Sequence, residues 1–582
     1  MAYLDPIDMK TEWDARKARH LLNRAGFGIP ASAADKLQAM GAAKAVEATV
    51  NYEKYPDNIT EPTFITEGDD PDSMMTEQRQ QYASATPEER RDLRQEFQRQ
   101  QRQQVEQLKT WWLQQMRVTN RPLQEKMAVF WHGHFATSAE KVKAASQNYE
   151  INKVFRDYAT GNFQDLVFAV GKTPAMLTYL DNKQNKKGHP NENWSRELME
   201  LFTLGIGHYS EDDIKNAARA FSGYTIRGGK FEFASRDHDY GEKTFLGRTG
   251  NFDGADAINI ILDQPQCARF ISKKIWEYLA YEKPSEELVT ELAAVLRDNN
   301  YEMKPLLSKI FLSKEFYSQQ AMAGQIKSPA QYLVALTDHL NVELPRPVMI
   351  TMAMRGLGQD LFYPPNVKGW EGNRTWINTN TILTRYNIPM YVVTGERPDL
   401  PRYRPLDEQM APEGMMKDDG GDAMMAPVQV NAQQQMKRPE GRGDQKNSAA
   451  TSSRREAFKK LVQERKPANA PPQQGVEKKG ELRQAAQAAR GKGKGGVLAA
   501  GQRMKIDLKP VMSPYFGKPA NQAAAGMTQE FLGRPLDETQ SAVLVRALSP
   551  SGPAATFTEA MAQQNGSAFL HLLLSTAEYQ LC

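Results

Sequence analysis

The sequence predicts a mainly α, multi-helix globular domain that carries one small β-hairpin and one long disordered insertion. Three observations predict it. Between residues 12 and 390, apolar side chains recur at three- and four-residue steps in one segment after another. The period changes clearly to two at one place, 224–233, around the pair Gly228-Gly229. From about 395 to 505, Pro, Gly, Gln, Met, Ala and Lys replace the periodic apolar residues, a composition that cannot bury a core. The expected organisation is a main helical domain at 12–390, a disordered low-complexity basic insertion at 395–505, and C-terminal helices at 525–582 that pack back on the main domain.

Composition narrows the function classes. The chain has 582 residues, 40% hydrophobic and 25% charged, as expected of a soluble protein. A formal charge of +4 is small for this length and points to neither nucleic acid nor membrane. The basic character is local: residues 437–494 hold 16 Lys and Arg against 6 Asp and Glu, with a short basic helix readable at 454–465. Two cysteines, Cys267 and Cys582, make no disulfide framework and no zinc ribbon. No secretory leader and no transmembrane run is visible, so the default expectation is a cytoplasmic protein, with export left open.

The elements follow in order. Trp13 to Leu22 form a helix stopped by Gly26 and Gly28, with Pro30 beyond. Ser32 is placed to cap the next helix, Ala33 to Ala48. Residues 51–75 are a Pro-, Asp- and Thr-rich loop. A long helix starts at Pro87, polar and solvent-facing in its first half, and enters the core at Leu108 and the two tryptophans Trp111 and Trp112. Pro122 opens another helix with Leu123, Met127, Phe130 and Trp131 on its inner side. It ends at His132-Gly133-His134. An extended backbone there would put both imidazoles on one side, as a metal site needs; the plainer reading is that one ring bonds a carbonyl and the other is packed.

After further helices, Asn191 to Gly205 stands out. Trp194, Leu198, Leu201 and Phe202 form one apolar stripe. Glu192, Arg196 and Glu200 form a second row at four-residue steps, able to pair as ions, with Asn191 or Asn193 as cap and Gly205 as stop. Ser210 and Asp213 have capping-box spacing. Behind the hairpin, His238, Asp239 and Lys243 sit on a loop, where contacts to ligands are often made. Helices resume from Ala255 to residue 357. The Pro-rich stretch 361–370 must be extended, and it ends at Trp370, with Trp376 close behind: a platform for a flat ligand such as a sugar face or a base, or a plug at a core edge. A short helix from Asn380 to Tyr386 closes the domain.

These motifs, taken together and in order, resemble the bacterial domain of unknown function 1800 family. The residues that carry the resemblance are His20-Leu-Leu-Asn-Arg24-Ala-Gly-Phe-Gly28, Trp131-His-Gly-His-Phe135, Asn191-Glu-Asn193 with Arg196-Glu-Leu-Met-Glu-Leu-Phe-Thr-Leu-Gly205, Ala218-Arg-Ala-Phe-Ser-Gly223, His238-Asp239 with Lys243-Thr-Phe-Leu-Gly247, and Pro364-Pro-Asn-Val-Lys-Gly-Trp370. The resemblance implies a mainly α-helical fold, no agreed activity, and export for many members. It also implies a partner in the domain of unknown function 1501 family, which is similar to alkaline phosphatases and sulfatases.

Two functions from different classes follow. The first is a binding or accessory protein acting with such a phosphatase- or sulfatase-like partner; no nucleophile elbow, P-loop, H-E-x-x-H or dinucleotide fingerprint is present. The second is a metal-assisted hydrolase, with a divalent metal on His132, His134, His238 and Asp239 and with Glu192 or Glu197 as general base. Either way the ligand-binding candidates are Asn193, Arg196, Lys243 and Trp370, and the three motif segments are expected to converge on one polar pocket. Nucleic acid is not expected as a partner of the folded part.

Overall fold

The computed structural model describes residues 3–28, 31–65, 84–322, 324–395 and 506–582. The insertion expected at 395–505, beyond its first residue, and its basic helix lie outside the described residues, as do Pro30 and the later part of the loop expected at 51–75. The fold is mainly α, with two small antiparallel hairpins. No helix among the described residues is long and apolar enough to cross a membrane.

The first layer comprises the helices Ala15–Ala25, Ala31–Met40 and Ala42–Val50. A single helix was expected over the last two. It breaks at Gly41, whose φ of 78° no right-handed helix admits. Since the helix before the break already starts at Ala31, Ser32 lies within it. The long helix Pro87–Val118 has a capping box, Thr86 with Glu89, and is exposed along its first turns. It packs on the helices Ala145–Asp157, Pro329–His339 and Pro347–Leu357.

The helix Pro122–His134 is buried along almost its whole length, and it lies against Ala145–Asp157. Its Glu125 accepts from Arg156 Nε at 2.7 Å and from the Trp112 indole at 2.9 Å. That buried triad ties three helices together at their centre. Around it Trp131, Phe135, Phe155, Phe163 and Phe202 form the aromatic heart of the core.

The expected hairpin is present. β1 (Tyr224–Arg227) pairs with β2 (Lys230–Phe233), and Gly228 and Gly229, both at positive φ, make the turn. A second hairpin, β3 (Lys243–Phe245) with β4 (Arg248–Gly250), occupies sequence read as loop. Three-residue strands are too short to show a period, and the turn forces Leu246 to a φ of 46°.

The closing helix is also longer than expected, Thr379–Thr394. It runs through Pro389, where a break would be usual, and that proline is buried. Residues 1–398 and 504–582 cluster as one compact unit. Within it, the C-terminal helix Glu559–Leu574 packs on Thr379–Thr394, and Lys327 donates to the Tyr579 carbonyl at 2.7 Å.

Candidate functional site

The His-Gly-His segment is helical through His134. At about 100° per residue, side chains two positions apart in a helix point away from each other, which removes the shared face that an extended H-x-H would have. His132 turns inward. Its Nε2 accepts from the Phe362 backbone N–H at 3.0 Å, and its ring lies 5.3–5.4 Å from those of Trp112, Phe362 and Trp370. Burial pushes its pKa down to about 3, so the ring is neutral and its acceptor nitrogen is in use.

His134 points the other way. Its Nε2 lies 3.0 Å from the Phe202 carbonyl, to which it donates, which leaves Nδ1 to accept from Lys274 Nζ at 3.2 Å. Burial, helped by the neighbouring ammonium, holds this imidazole well below its usual pKa. In both rings the lone pair that a metal would need is given to a protein donor.

The segment from Asn191 to Gly205 is two structures in succession. Asn191 Oδ1 accepts from the Asn193 N–H at 3.0 Å, and the helix Asn193–Glu197 follows. From Leu198 to Thr203 the chain widens into a π-helix, with Leu204 N–H donating to the Met199 carbonyl five residues back. The widening breaks the expected spacing. Trp194, Leu198, Met199 and Phe202 are buried while Leu201 is only half-buried.

Arg196 does pair with Glu192, at 3.2 Å, but Glu200 leaves the row and accepts from the Tyr209 hydroxyl at 2.8 Å. The stronger partner of Arg196 is Glu211, held through two bonds of 2.8 Å. Glu197 is half-buried. Loss of water and then the charge of Glu200 raise its pKa, against the pull of Arg196 and Lys368. Asn193 is exposed at the helix start.

The His238–Asp239 loop has its own surroundings. His238 Nδ1 lies 2.9 Å from the Ser222 carbonyl, and its ring packs between Phe233 and Tyr240. Asp239 accepts from Arg219 Nε at 2.8 Å, and that bond does most to lower its pKa to about 2. Lys243 donates to the carbonyls of Asp239 and Gly241, at 2.6 and 3.0 Å, and to Asn251 Oδ1 at 3.4 Å. It holds its own loop together.

The structure therefore brings some of these motifs into contact. His134 joins the π-helix through Phe202. The 364–370 loop lies on the His-Gly-His turn, with Trp370 against His132 and Gly369 against Gly133. Through Lys368 the same loop reaches the field of Glu197. The bonded and ring partners of His238 and Asp239 include neither His132 nor His134. Among the described residues no three His, Cys, Asp or Glu side chains are grouped to hold a metal ion. A family model described as "Protein of unknown function (DUF1800)" matches residues 20–581. The chain belongs to this family. No curated protein and no solved structure matches it.

In this DUF1800 chain one of the joined motifs, the 364–370 loop, lines a cleft of about 270 Å³. Its floor and sides come from Asn366, Lys368 and Trp370 on the loop, Glu371 and Trp376 just after it, and Asn378 and Thr381 at the start of the Thr379–Thr394 helix. Trp370 was singled out from the sequence. Asn366, Glu371, Asn378 and Thr381 were not, because lone polar residues carry no period. The signal that frames them is the cluster of Pro and Gly around two tryptophans.

Proposed function

We propose that this chain is a binding or accessory protein whose ligand face is the Trp370–Trp376 cleft, and that a phosphatase- or sulfatase-like partner supplies the chemistry. One observation carries the reading: the motif histidine supports the cleft from behind. His132 takes the Phe362 N–H and packs against Trp370, so its imidazole holds the loop in place. Lys368 and Glu371, exposed on the loop, have no ion-pair partner among the described residues and are open to a ligand. The partner rests on the family resemblance alone.

The metal-assisted hydrolase is the second reading, and Glu197 is what favours it: a half-buried carboxyl with a raised pKa suits a general acid or base. Against it stand the occupied nitrogens of His132 and His134 and the ion pair of Asp239.

The test is a thermal-shift screen of small molecules on the full chain, repeated with Asn366→Ala and Glu371→Ala, both at exposed positions. A ligand that stabilises the wild type and loses that effect in both variants supports the reading. Hydrolysis of a phosphate or sulfate ester by the purified chain alone, lost in Glu197→Gln, overturns it.

A further inference from the structure

We infer that the Trp370–Trp376 cleft is a subsite for a neutral saccharide. The inference deepens the binding-protein reading and rests on it. The first ground is the state of the two indoles. The ring N–H groups of Trp13, Trp111, Trp112 and Trp131 each donate to a protein oxygen. Those of Trp194 and Trp276 are sealed in the core without a partner. Only Trp370 and Trp376, among the described tryptophans, have an N–H that is neither bonded within the chain nor sealed away. Trp370, half-buried, offers an apolar face and a donor together, the pair of properties that a sugar ring matches with its C–H face and its hydroxyls, while the buried Trp376 offers only its N–H edge.

The second ground is the rest of the lining. Asn366 and Asn378 give their Oδ1 atoms to backbone N–H groups, of Lys368 and of Asn380 and Thr381, which leaves their amide N–H groups as donors. The Thr375 hydroxyl donates to the Gly372 carbonyl and keeps its oxygen as an acceptor, while Lys368 and Glu371 supply one charge of each sign. A phosphate site would gather several cations or aligned backbone N–H groups. An apolar ligand would leave these polar groups unpaired at a cost. A neutral, hydroxyl-rich ligand can accept from the remaining amide donors and from Lys368 and donate to Thr375 and Glu371.

The third ground is size and rigidity. About 270 Å³ falls just below the range of roughly 300–1,000 Å³ usual for drug-sized ligands, and suits one or two sugar rings. The platform is set before any ligand arrives. Trp376 ends a 3₁₀ turn, Asn373–Trp376, and is only 6% exposed. Asn373 Oδ1 accepts from the Ile326 N–H at 3.1 Å, and Trp370 is backed by His132. A pre-set aromatic platform lowers the ordering cost of binding.

The experiment is tryptophan fluorescence and calorimetric titration of the full chain with cellobiose, maltose, lactose and N,N′-diacetylchitobiose, and with adenosine and inorganic phosphate as probes of other chemistry. The expected result is saturable binding of at least one disaccharide with a Kd near or below about 1 mM. Binding should weaken at least about tenfold in Glu371→Ala and in Asn366→Ala, and vanish in Trp370→Ala. Trp370→Phe, which keeps the platform without the N–H, should retain a reduced affinity and guards against a folding defect in the alanine variant. No disaccharide binding at about 10 mM, a concentration that would reveal even Kd values tenfold weaker than expected, overturns the saccharide assignment. So does disaccharide binding that all the variants leave unchanged. If adenosine or phosphate binds instead, and does so in a Trp370-dependent manner, the saccharide fails while the binding-protein reading stands. If no probe binds the cleft, both fail.

Discussion

The Nε2 atom of His132 and the backbone N–H of Phe362 are 230 positions apart in the chain and 3.0 Å apart in space. A nitrogen that accepts is a nitrogen without a proton, so this bond fixes both the tautomer and the charge of the ring. It also joins the buried helix Pro122–His134 to the segment that opens the cleft. Just before Phe362, the fully buried Lys109 binds Asp360, whose second oxygen takes Arg355 Nε at 2.8 Å. The loop is thus held at its base from two sides.

Removing the imidazole should show what the bond contributes. His132→Ala leaves the buried Phe362 N–H without an acceptor and opens space among the rings of Trp112, Phe155 and Trp370. An orphaned buried donor costs about 1–3 kcal/mol, and the cavity adds to it. Urea unfolding should show a total loss of about 2–4 kcal/mol. Bound metal, measured by mass spectrometry, should be the same in wild type and variant.

Acid should destabilise the protein earlier than carboxylates alone would make it. His132 and His339 are pushed to about 3, and burial holds His20 and His134 well below their usual value. Unfolded, each titrates near about 6.5. The unfolded chain therefore binds more protons between those limits, and stability must fall as pH drops. The contribution is complete above about pH 6.5 and is lost progressively towards pH 3. Thermal unfolding from pH 7 to 4 should show a steep decline, and His132→Phe should make it shallower. A flat profile across this window would mean that the rings are charged or exposed.

Two arginine–carboxylate pairs should behave in opposite ways. Glu125 and Arg156 are almost wholly buried, and breaking such a pair leaves an uncompensated charge. Glu125→Gln should cost about 3–5 kcal/mol in chemical denaturation. Arg196 and Glu211 meet at the surface, where water and salt screen them. Arg196→Ala should leave the melting temperature close to that of wild type.

Gly369 has a φ of 75°, and a Cβ placed on it would run into the Gly133 carbonyl oxygen. No rotamer relieves a clash with backbone. Gly369→Ala should lift the loop off the His-Gly-His turn, cost more than about 2 kcal/mol, and shift tryptophan emission to the red as Trp370 meets water. Unchanged emission and stability would show that the loop does not lie on that turn.

Much of the fold was legible in the sequence because its signals are local. The β1–β2 turn is written in Gly228-Gly229, and the capping box of the helix Glu211–Ala220 in Ser210 and Asp213. The family resemblance was legible for the same reason, in short motifs read in order. What stayed hidden depends on partners far along the chain. The spacing of His132 and His134 suggested two ligands on one face. Their fates are decided by Phe362, Phe202 and Lys274, none of which lies nearer than 68 positions away. Likewise nothing at Lys243 announces that its ammonium will be enclosed by its own loop.

The π-helix at Leu198–Thr203 makes residue number itself a structural variable. A π turn is an α-helix with one residue too many, and its wider winding takes up the extra residue without turning the chain on either side. A single-residue deletion within this segment would close the helix back to regular winding and leave the stretch up to Glu197 and the stretch after Thr203 facing as they do now. The same deletion in the regular winding of Asn193–Glu197 would instead turn one side against the other by about 100°. Point substitutions here adjust contacts; a change of length by one is absorbed or transmitted according to which winding it falls in.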